Sequence, residues 1–287
     1  MNIAGNTDIS SLRIRAEKIR KKILEIIFNA KSGHTGGSLS AVDILTALYF
    51  NVMNVDPENP EMSGRDRFIL SKGHSVEAYY CVLAERGFFP KEWLDTYGKF
   101  NSPLAGHPVN SVPGIEVNTG ALGHGLSMGT GMAIAAKMNM LQYRIYVLMG
   151  DGEQNEGSVY EAAMAASHYK LDNLVAITDR NRLQISGNTE NVMKLERLTE
   201  RWQAFGWNVI ETDGNCVEKL LDVFLNGIPG NGYPTMIIAE TVKGKGVSFI
   251  ENKAEWHHKV PTESELKDAI NELNQRIFKY QKSTQGQ

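Results

Sequence analysis

Short apolar runs alternate with longer amphipathic segments along most of this 287-residue chain. Five runs of five or six residues are mostly apolar, and such runs between turn-forming residues predict short strands. They lie at residues 67–71, 145–149, 174–178, 207–211 and 235–240. The first and the last of them are bounded by polar loops and are apolar enough to be buried strands.

Between these runs, apolar residues recur at the spacing of one helix face. The predicted helices include residues 10–29, 40–50, 76–85, 126–138, 194–205, 217–225 and 263–280. Strands that alternate with helices predict an α/β fold, a parallel sheet flanked by helices. Because no repeat, low-complexity block or linker interrupts the pattern, we predict a single domain over residues 1–287.

Residues 144–187 form a predicted strand–helix–strand unit around which the chain is organised. Its first strand breaks at Gly150-Asp151-Gly152, and Asn181 follows its second strand. Parallel strands end at the same edge of a sheet, so Asp151 and Asn181 should meet there. Glycines leave room for a bulky anion, and hard oxygen ligands suit a divalent metal that holds a diphosphate. An aspartate that merely caps a helix is the alternative.

Composition narrows the function classes. The net charge is −3, and acidic and basic residues alternate along the chain. The sequence therefore shows no basic patch of the kind that binds nucleic acid or an anionic membrane. Cys81 and Cys216 lack metal-ligand spacing and are interpreted as reduced thiols. Residues 1–11 do not have the pattern of a secretion signal, and no apolar run approaches a membrane span. We therefore expect a cytoplasmic protein.

Histidines supply the candidate chemistry. Five of the seven lie in glycine- or proline-rich loops or in the loop after the last buried strand: His34, His74, His107, His124 and His257. Imidazole donates, accepts and titrates near neutrality, as proton transfers on many hydroxyls require. His168 ends a predicted helix and His258 neighbours a better candidate, so neither is assigned a role. No zinc motif is present.

Together these residues resemble the N-terminal, diphosphate-binding part of transketolase, a thiamine diphosphate enzyme. The resemblance covers nearly the whole chain, in the family's order. It is carried by SGHTGGSLSAVDI (32–44), RFILSKGHS (67–75), AGHP (105–108), NTGALGHGLSMGTGMAIA (118–135), GDGEQNEGSVYEAA (150–163), DRNRLQISG (179–187) and KGKGVSFIENKAEWH (243–257).

The resemblance implies a cofactor site of thiamine diphosphate with Mg²⁺, or Ca²⁺ or Mn²⁺ in its place. It implies that Asp151, Asn181 and the carbonyl oxygen of Leu183 ligate the metal. The cofactor contacts that it implies are His74, Gly120, Ala121, Leu122, Gly152, Glu156, Asn181 and His257.

The resemblance also implies catalytic roles. His34 and His257 resemble residues that contact substrate and cofactor and move protons, and His107 resembles one that binds a substrate hydroxyl. Glu156 resembles an acidic residue of the network between two cofactor sites. Lys243 and Lys245 would raise the local positive potential, although loop lysines are more often only solvated.

Three positions depart from the family's pattern. Arg180-Asn181 stands where tandem asparagines are usual, which is harmless if only the second amide ligates. Ala121 and His124 replace a proline and a glutamine of the loop at residues 120–125, which puts the cofactor contacts of that loop in question.

The chain matches only the first part of a full transketolase. The pyrimidine-binding and C-terminal domains, with the glutamate that contacts the aminopyrimidine, are expected on a separate subunit, in a heterotetramer that acts on sugars. The alternatives are the α subunit of a thiamine-dependent 2-oxoacid dehydrogenase and a non-catalytic regulatory homologue. The histidine loops around His34, His74 and His107 argue against the dehydrogenase.

Overall fold

The computed structural model describes residues 8–285, so the first seven residues, on which the signal-peptide prediction depends, lie outside it. The strands of the described chain are β1 (Arg67–Leu70), β2 (Ile145–Gly150), β3 (Leu174–Arg180), β4 (Leu183–Gln184), β5 (Gly187–Asn188), β6 (Asn208–Asp213) and β7 (Thr235–Glu240). Five of them are parallel and form the central sheet in the order β1-β2-β3-β7-β6. A two-stranded antiparallel ribbon, β4-β5, follows β3.

Helices cover both faces of this sheet. Asp8 caps the first, its side chain accepting a hydrogen bond from the Ser11 backbone N–H at 3.1 Å. The α-helices of the described chain are α1 (Ile9–Ala30), α2 (Thr35–Ala47), α3 (Val76–Arg86), α4 (Gly125–Met138), α5 (Gly157–His168), α6 (Thr189–Val192), α7 (Leu198–Ala204), α8 (Val217–Asp222) and α9 (Glu263–Gln285).

Successive strand residues point to opposite faces and build two apolar layers. In β2, Tyr146 and Leu148 belong to the larger core with α1, α2, α3, α8 and α9, whereas Val147 and Met149 pack with α4, α5 and α7. A Cβ on Gly129 would lie 2.6 Å from Val147 Cγ2, so this glycine lets α4 lie directly on the sheet. The predicted parallel sheet flanked by helices is confirmed.

No helix within residues 8–285 combines the length and apolarity that a membrane crossing requires.

The start of α2 differs from the prediction. The glycine-rich stretch after His34 was expected to be a loop with a helix from about residue 40, yet α2 begins at Thr35. A Cβ on Gly36 would lie 3.0 Å from the Trp256 carbonyl oxygen, and one on Gly37 would lie 2.9 Å from Ser75 Oγ. The glycines therefore serve close packing of the first helical turn, which outweighs their low helix propensity.

Smaller differences follow the central unit. A 3₁₀ turn, Gly152–Asn155, separates Asp151 from α5, and β3 extends through Arg180. The helix expected at residues 194–205 begins only at Leu198, and the ribbon β4-β5 and the short α6 were not expected. These short elements carry too few residues for a periodic pattern.

Candidate active site

The carboxyl ends of the parallel strands surround a cavity of about 360 Å³. Strand β2 leads to Asp151, β3 to Asn181, β1 to His74 and β7 to Lys243. Nine of the twelve predicted site residues line this cavity: His74, Gly120, Leu122, Asp151, Gly152, Glu156, Asn181, Leu183 and His257. Residues from across the chain thus meet where α/β folds bind ligands.

The predicted metal ligands lie in one corner of the cavity. Asp151 is 2 % exposed, and burial raises the pKa of its carboxyl group to about 6. The Asn181 Oδ1 accepts the Leu183 backbone N–H at 3.2 Å, which fixes the amide next to the third predicted ligand residue. A carboxylate, an amide oxygen and a backbone carbonyl are oxygen ligands that Mg²⁺ accepts while it keeps water or phosphate oxygens.

Within residues 8–285 no group of three or more His, Cys, Asp or Glu side chains is arranged to hold a metal ion. A site of one carboxylate, one amide and one carbonyl has lower charge than such a cluster. It therefore fits a metal whose remaining ligands are supplied by an anionic cofactor.

Arg180 contacts the predicted metal ligand Asp151, and the sequence did not indicate this contact. Its guanidinium is almost fully buried and donates to Asp151 Oδ1 at 3.1 Å, to Glu196 Oε1 at 2.9 Å and to Thr189 Oγ1 at 3.1 Å. The Arg182 backbone N–H donates to the other carboxylate oxygen of Asp151. Arg180 thus holds the carboxylate of a predicted metal ligand in place.

Two lysines are buried at the cavity. Lys72 and Lys243 line it and are 1 % and 2 % exposed. Burial and the neighbouring Lys72 lower the pKa of Lys243 to about 8, and within residues 8–285 no carboxylate contacts its ammonium group. The interpretation of Lys243 as a solvated loop lysine is therefore wrong, while Lys245 is partly exposed and pairs with Glu251 at 3.7 Å.

Lys72 also forms the floor of the site. It makes an ion pair with Asp179 and donates to the Gly37 carbonyl at 3.1 Å. Burial alone would raise the pKa of Asp179, but Lys72 outweighs it and holds that pKa below its usual value. Ser40 and Thr241 donate to the same carboxylate. A buried charge with this many partners is rigid, so the floor is preformed.

Glu153 is a residue of the site that the sequence patterns did not indicate. Its buried carboxylate accepts from the backbone N–H groups of Gly123 at 2.9 Å and Gly150 at 3.0 Å, and from the Ser71 hydroxyl. It therefore ties the turn at residues 150–152 to the loop at residues 120–125, which carries predicted cofactor contacts. Its position two residues after Asp151 was the one feature of the sequence that pointed to the site. No sequence pattern indicated that the Glu153 side chain would be buried.

The histidines form a cluster beside this cavity. The ring centroid of His34 lies 5.4 Å from that of His74, 5.5 Å from that of His257 and 6.1 Å from that of His107. The rings of His74 and His257 are 5.3 Å apart. His258, to which no role was assigned, is the nearest ring to His34, at 4.5 Å. The structure thus unites the three predicted catalytic histidines and adds His258 to them.

Four of the clustered histidines, His34, His74, His107 and His257, have lowered pKa values and are neutral at neutral pH. Burial, followed by the neighbouring histidines and lysines, lowers the pKa of His34 to about 4. Burial and Lys243 lower the pKa of His257 to about 3, and burial lowers those of His74 and His107 as well. A neutral imidazole has one nitrogen that accepts a proton and one that donates it, which suits reversible proton transfer.

Lys243 fixes the tautomer of His257. Its Nζ lies 3.0 Å from His257 Nδ1. A protonated amine only donates, so Nδ1 is the acceptor of this hydrogen bond and the ring proton lies on Nε2. His257 thus presents an N–H to the side of the ring away from the lysine.

The remaining predicted residues lie at the margin of the cavity. Ala121 is exposed and does not line it, whereas His107 packs against Gly120, where an added Cβ would be 3.1 Å from His107 Cδ2. Glu156 is exposed at the rim. His124 is also exposed, with Nδ1 3.0 Å from the Leu122 carbonyl oxygen, and makes no ring contact with the cluster.

Comparison with known proteins identifies the family. Residues 12–279 match the model of the transketolase, thiamine diphosphate binding domain. The chain belongs to the transketolase family. It is 55% identical over 278 residues to a protein of Phocaeicola vulgatus named as one subunit of apulose-4-phosphate transketolase, a match that covers 97% of this chain and 99% of the relative. It is 44% identical to the 6-deoxy-6-sulfo-D-fructose transketolase subunit SqwG of a Clostridium species, over 91% and 96% of the two chains.

Longer transketolases match over part of their length. The transketolase of Homo sapiens is 39% identical over 94% of this chain but only 43% of its own. The crystal structure of transketolase from Campylobacter jejuni superimposes with a TM-score of 0.88 at 29% identity, over 96% of this chain and 46% of that one. The chain thus spans less than half of these longer transketolases and nearly all of the proteins named as subunits. These relatives favour a transketolase subunit over the dehydrogenase and regulatory alternatives.

Proposed function

We propose that this chain is the cofactor-binding subunit of a two-chain transketolase, which transfers a two-carbon ketol unit from a ketose, phosphorylated in the usual case, to an aldose. The observation that carries the proposal is one cavity with two contrasting ends. One end combines buried lysines with oxygen ligands for a metal, and the other is lined by His74 and His257, on which His34 packs. The site is proposed to work in the cytoplasm.

In this proposal Asp151, Asn181 and the Leu183 carbonyl hold Mg²⁺, with Ca²⁺ or Mn²⁺ as substitutes. Lys243 supplies positive charge for the diphosphate, whereas the charge of Lys72 is balanced by Asp179. The remaining contacts of the cofactor are assigned to His74, Gly120, Leu122 and Gly152, with Ala121 and Glu156 at the rim. When bound, thiamine diphosphate supplies the electron sink for the two-carbon unit.

The histidines handle the protons of the reaction. Cleavage of the C2–C3 bond of a ketose removes the proton of the C3 hydroxyl, and formation of the new bond returns a proton to the oxygen of the aldehyde. His34 is neutral at pH 7 and can therefore accept that proton and return it. His257, whose proton lies on Nε2, is assigned the donation of a proton to a substrate oxygen, while its Nδ1 accepts the hydrogen bond that Lys243 donates. His107 is assigned a hydrogen bond to a substrate hydroxyl.

A partner chain completes the active site. Two relatives at 50% identity or more are each named as one lettered subunit of a transketolase, which implies a second subunit in those proteins. We infer that such a second chain supplies the pyrimidine-binding and C-terminal domains, in a heterotetramer. Because both relatives are named for apulose 4-phosphate, that ketose phosphate is the first donor to assay.

Native mass spectrometry of the protein purified from its own cells, in buffer with Mg²⁺, tests the proposal. A complex with a second chain that carries thiamine diphosphate is the expected result. A chain with neither cofactor nor such a partner would overturn it. The isolated complex should then cleave a ketose in the absence of a lipoyl acceptor, whereas a dehydrogenase complex would require a 2-oxoacid and that acceptor.

A further inference from the structure

The position of the His34 ring depends on packing. Within residues 8–285 its backbone N–H donates to Glu77 Oε1 at 3.0 Å, but no hydrogen bond holds the imidazole itself. A ring without a hydrogen bond keeps its orientation only through its neighbours. The predicted proton-transfer residue is therefore oriented by the rings around it.

His258 is the closest of those rings. Its centroid lies 4.5 Å from that of His34 at an interplanar angle of 80°, an edge-to-face contact, while the other three rings lie at 5.4 Å or more. The His258 side chain is exposed, whereas that of His34 is partly buried.

The backbone keeps these two residues together. The Thr35 hydroxyl, one residue after His34, donates to the Lys259 carbonyl, one residue after His258, at 2.6 Å. The preceding turn, Ala254–His257, is anchored by the buried Trp256. The contact between the two rings is thus imposed by the fold rather than by chance approach of two exposed side chains.

We propose that His258 is a positioning residue, whose ring packs edge-to-face on His34 and holds that imidazole in its proton-transfer orientation. This inference rests on the proposed function of His34. An edge-to-face contact between rings is strong enough to change a rate by about 10-fold when the orientation of one ring is required for reaction.

Two substitutions separate packing from polarity. In the complex with the partner chain, His258→Ala should lower kcat about 10-fold with little change in the affinity for thiamine diphosphate. His258→Phe keeps a ring without nitrogens and should restore most of the rate. As a matched control, His168→Ala removes an exposed ring at the end of α5, where it contacts Tyr169, and should leave kcat unchanged.

A double-mutant cycle tests whether His258 acts through His34. In a His34→Ala background, His258→Ala should cause no further loss, because the ring to be oriented is absent. An additional loss of about 10-fold in that background would overturn the inference. A His258→Phe variant as slow as His258→Ala would also overturn it, since it would assign His258 a polar role of its own.

A third readout does not need activity. In the full chain without its partner, the nuclear magnetic resonance signals of the His34 ring protons should shift on His258→Ala and not on His168→Ala. Unchanged His34 signals would overturn the positioning role. A wild-type complex without ketol transfer would instead overturn the proposed function of the site.

Discussion

The two ends of the cavity are built in opposite ways. At the metal end the charged side chains Asp151, Arg180, Lys72 and Asp179 are almost fully buried and form ion pairs. At the histidine end the rings pack on one another, and His34 has no hydrogen bond to its imidazole among the described residues. The metal end is fixed by charge and hydrogen bonds, whereas the ring of His34 is held by the packing of its neighbours.

This difference follows from what each end has to do. A metal and a diphosphate require fixed ligands of defined charge, and buried ion pairs supply them at the cost of desolvation. Proton acceptance requires a nitrogen that is available, and the imidazole of His34 has no hydrogen bond among the described residues that would occupy it. Four substitutions test this contrast, beginning with the largest expected effect.

Asp151→Ala should abolish metal-dependent binding of thiamine diphosphate by the complex, because it removes the only carboxylate among the proposed metal ligands. Isothermal titration with the cofactor in the presence and absence of Mg²⁺ measures the loss. Circular dichroism should show an unchanged fold, since Arg180 keeps its contact with Glu196. Retention of Mg²⁺-dependent binding would refute the metal assignment.

Arg180→Ala should destabilise the chain by about 3 kcal/mol, because it leaves the buried carboxylate of Asp151 without its guanidinium partner. Urea unfolding of the chain measures the change. The matched control is Arg182→Ala, whose side chain is 52% exposed and pairs with Glu196 and Glu240, and which should cost less than about 1 kcal/mol. Equal losses would mean that the metal end is not held by buried charge.

His257→Ala should lower kcat of the complex roughly 100-fold while the affinity for thiamine diphosphate falls much less, as expected for a residue that transfers protons. Steady-state rates and cofactor titration on the same preparation separate the two effects. A variant that loses thermal stability and cofactor affinity together, with normal turnover when saturated, would assign His257 a structural role.

The smallest effect concerns acid stability. In the folded chain the pKa of His34 lies at about 4, below its ordinary value of 6.5, so the unfolded chain takes up this proton first. The stability that a neutral His34 contributes is present above pH 6.5 and is lost as the pH falls toward 4. His34→Gln should make the decline of the urea midpoint between about pH 7 and pH 5 shallower. His168→Gln should not, and an equal change in both variants would contradict the buried, neutral state of His34.

Much of the fold could be read from local patterns. The five strands were found within one or two residues, because each is an apolar run between turn-forming residues. The meeting of Asp151 and Asn181 followed from the rule that parallel strands end at one edge of a sheet. The start of α2 was missed, because glycine has a low helix propensity and the packing that favours it here is not local.

The sequence by itself thus determined the strands, the sheet edge at which the site lies and the residue types available for metal and proton chemistry. The tertiary structure alone decided their surroundings. In the folded chain Lys243 is buried beside His257, Arg180 pairs with Asp151, and His258 packs on His34. Each of these contacts joins side chains that lie far apart along the chain. The physical reason is that burial and pairing depend on every element packed around a group, whereas a sequence pattern reports only the neighbours of a residue along the chain.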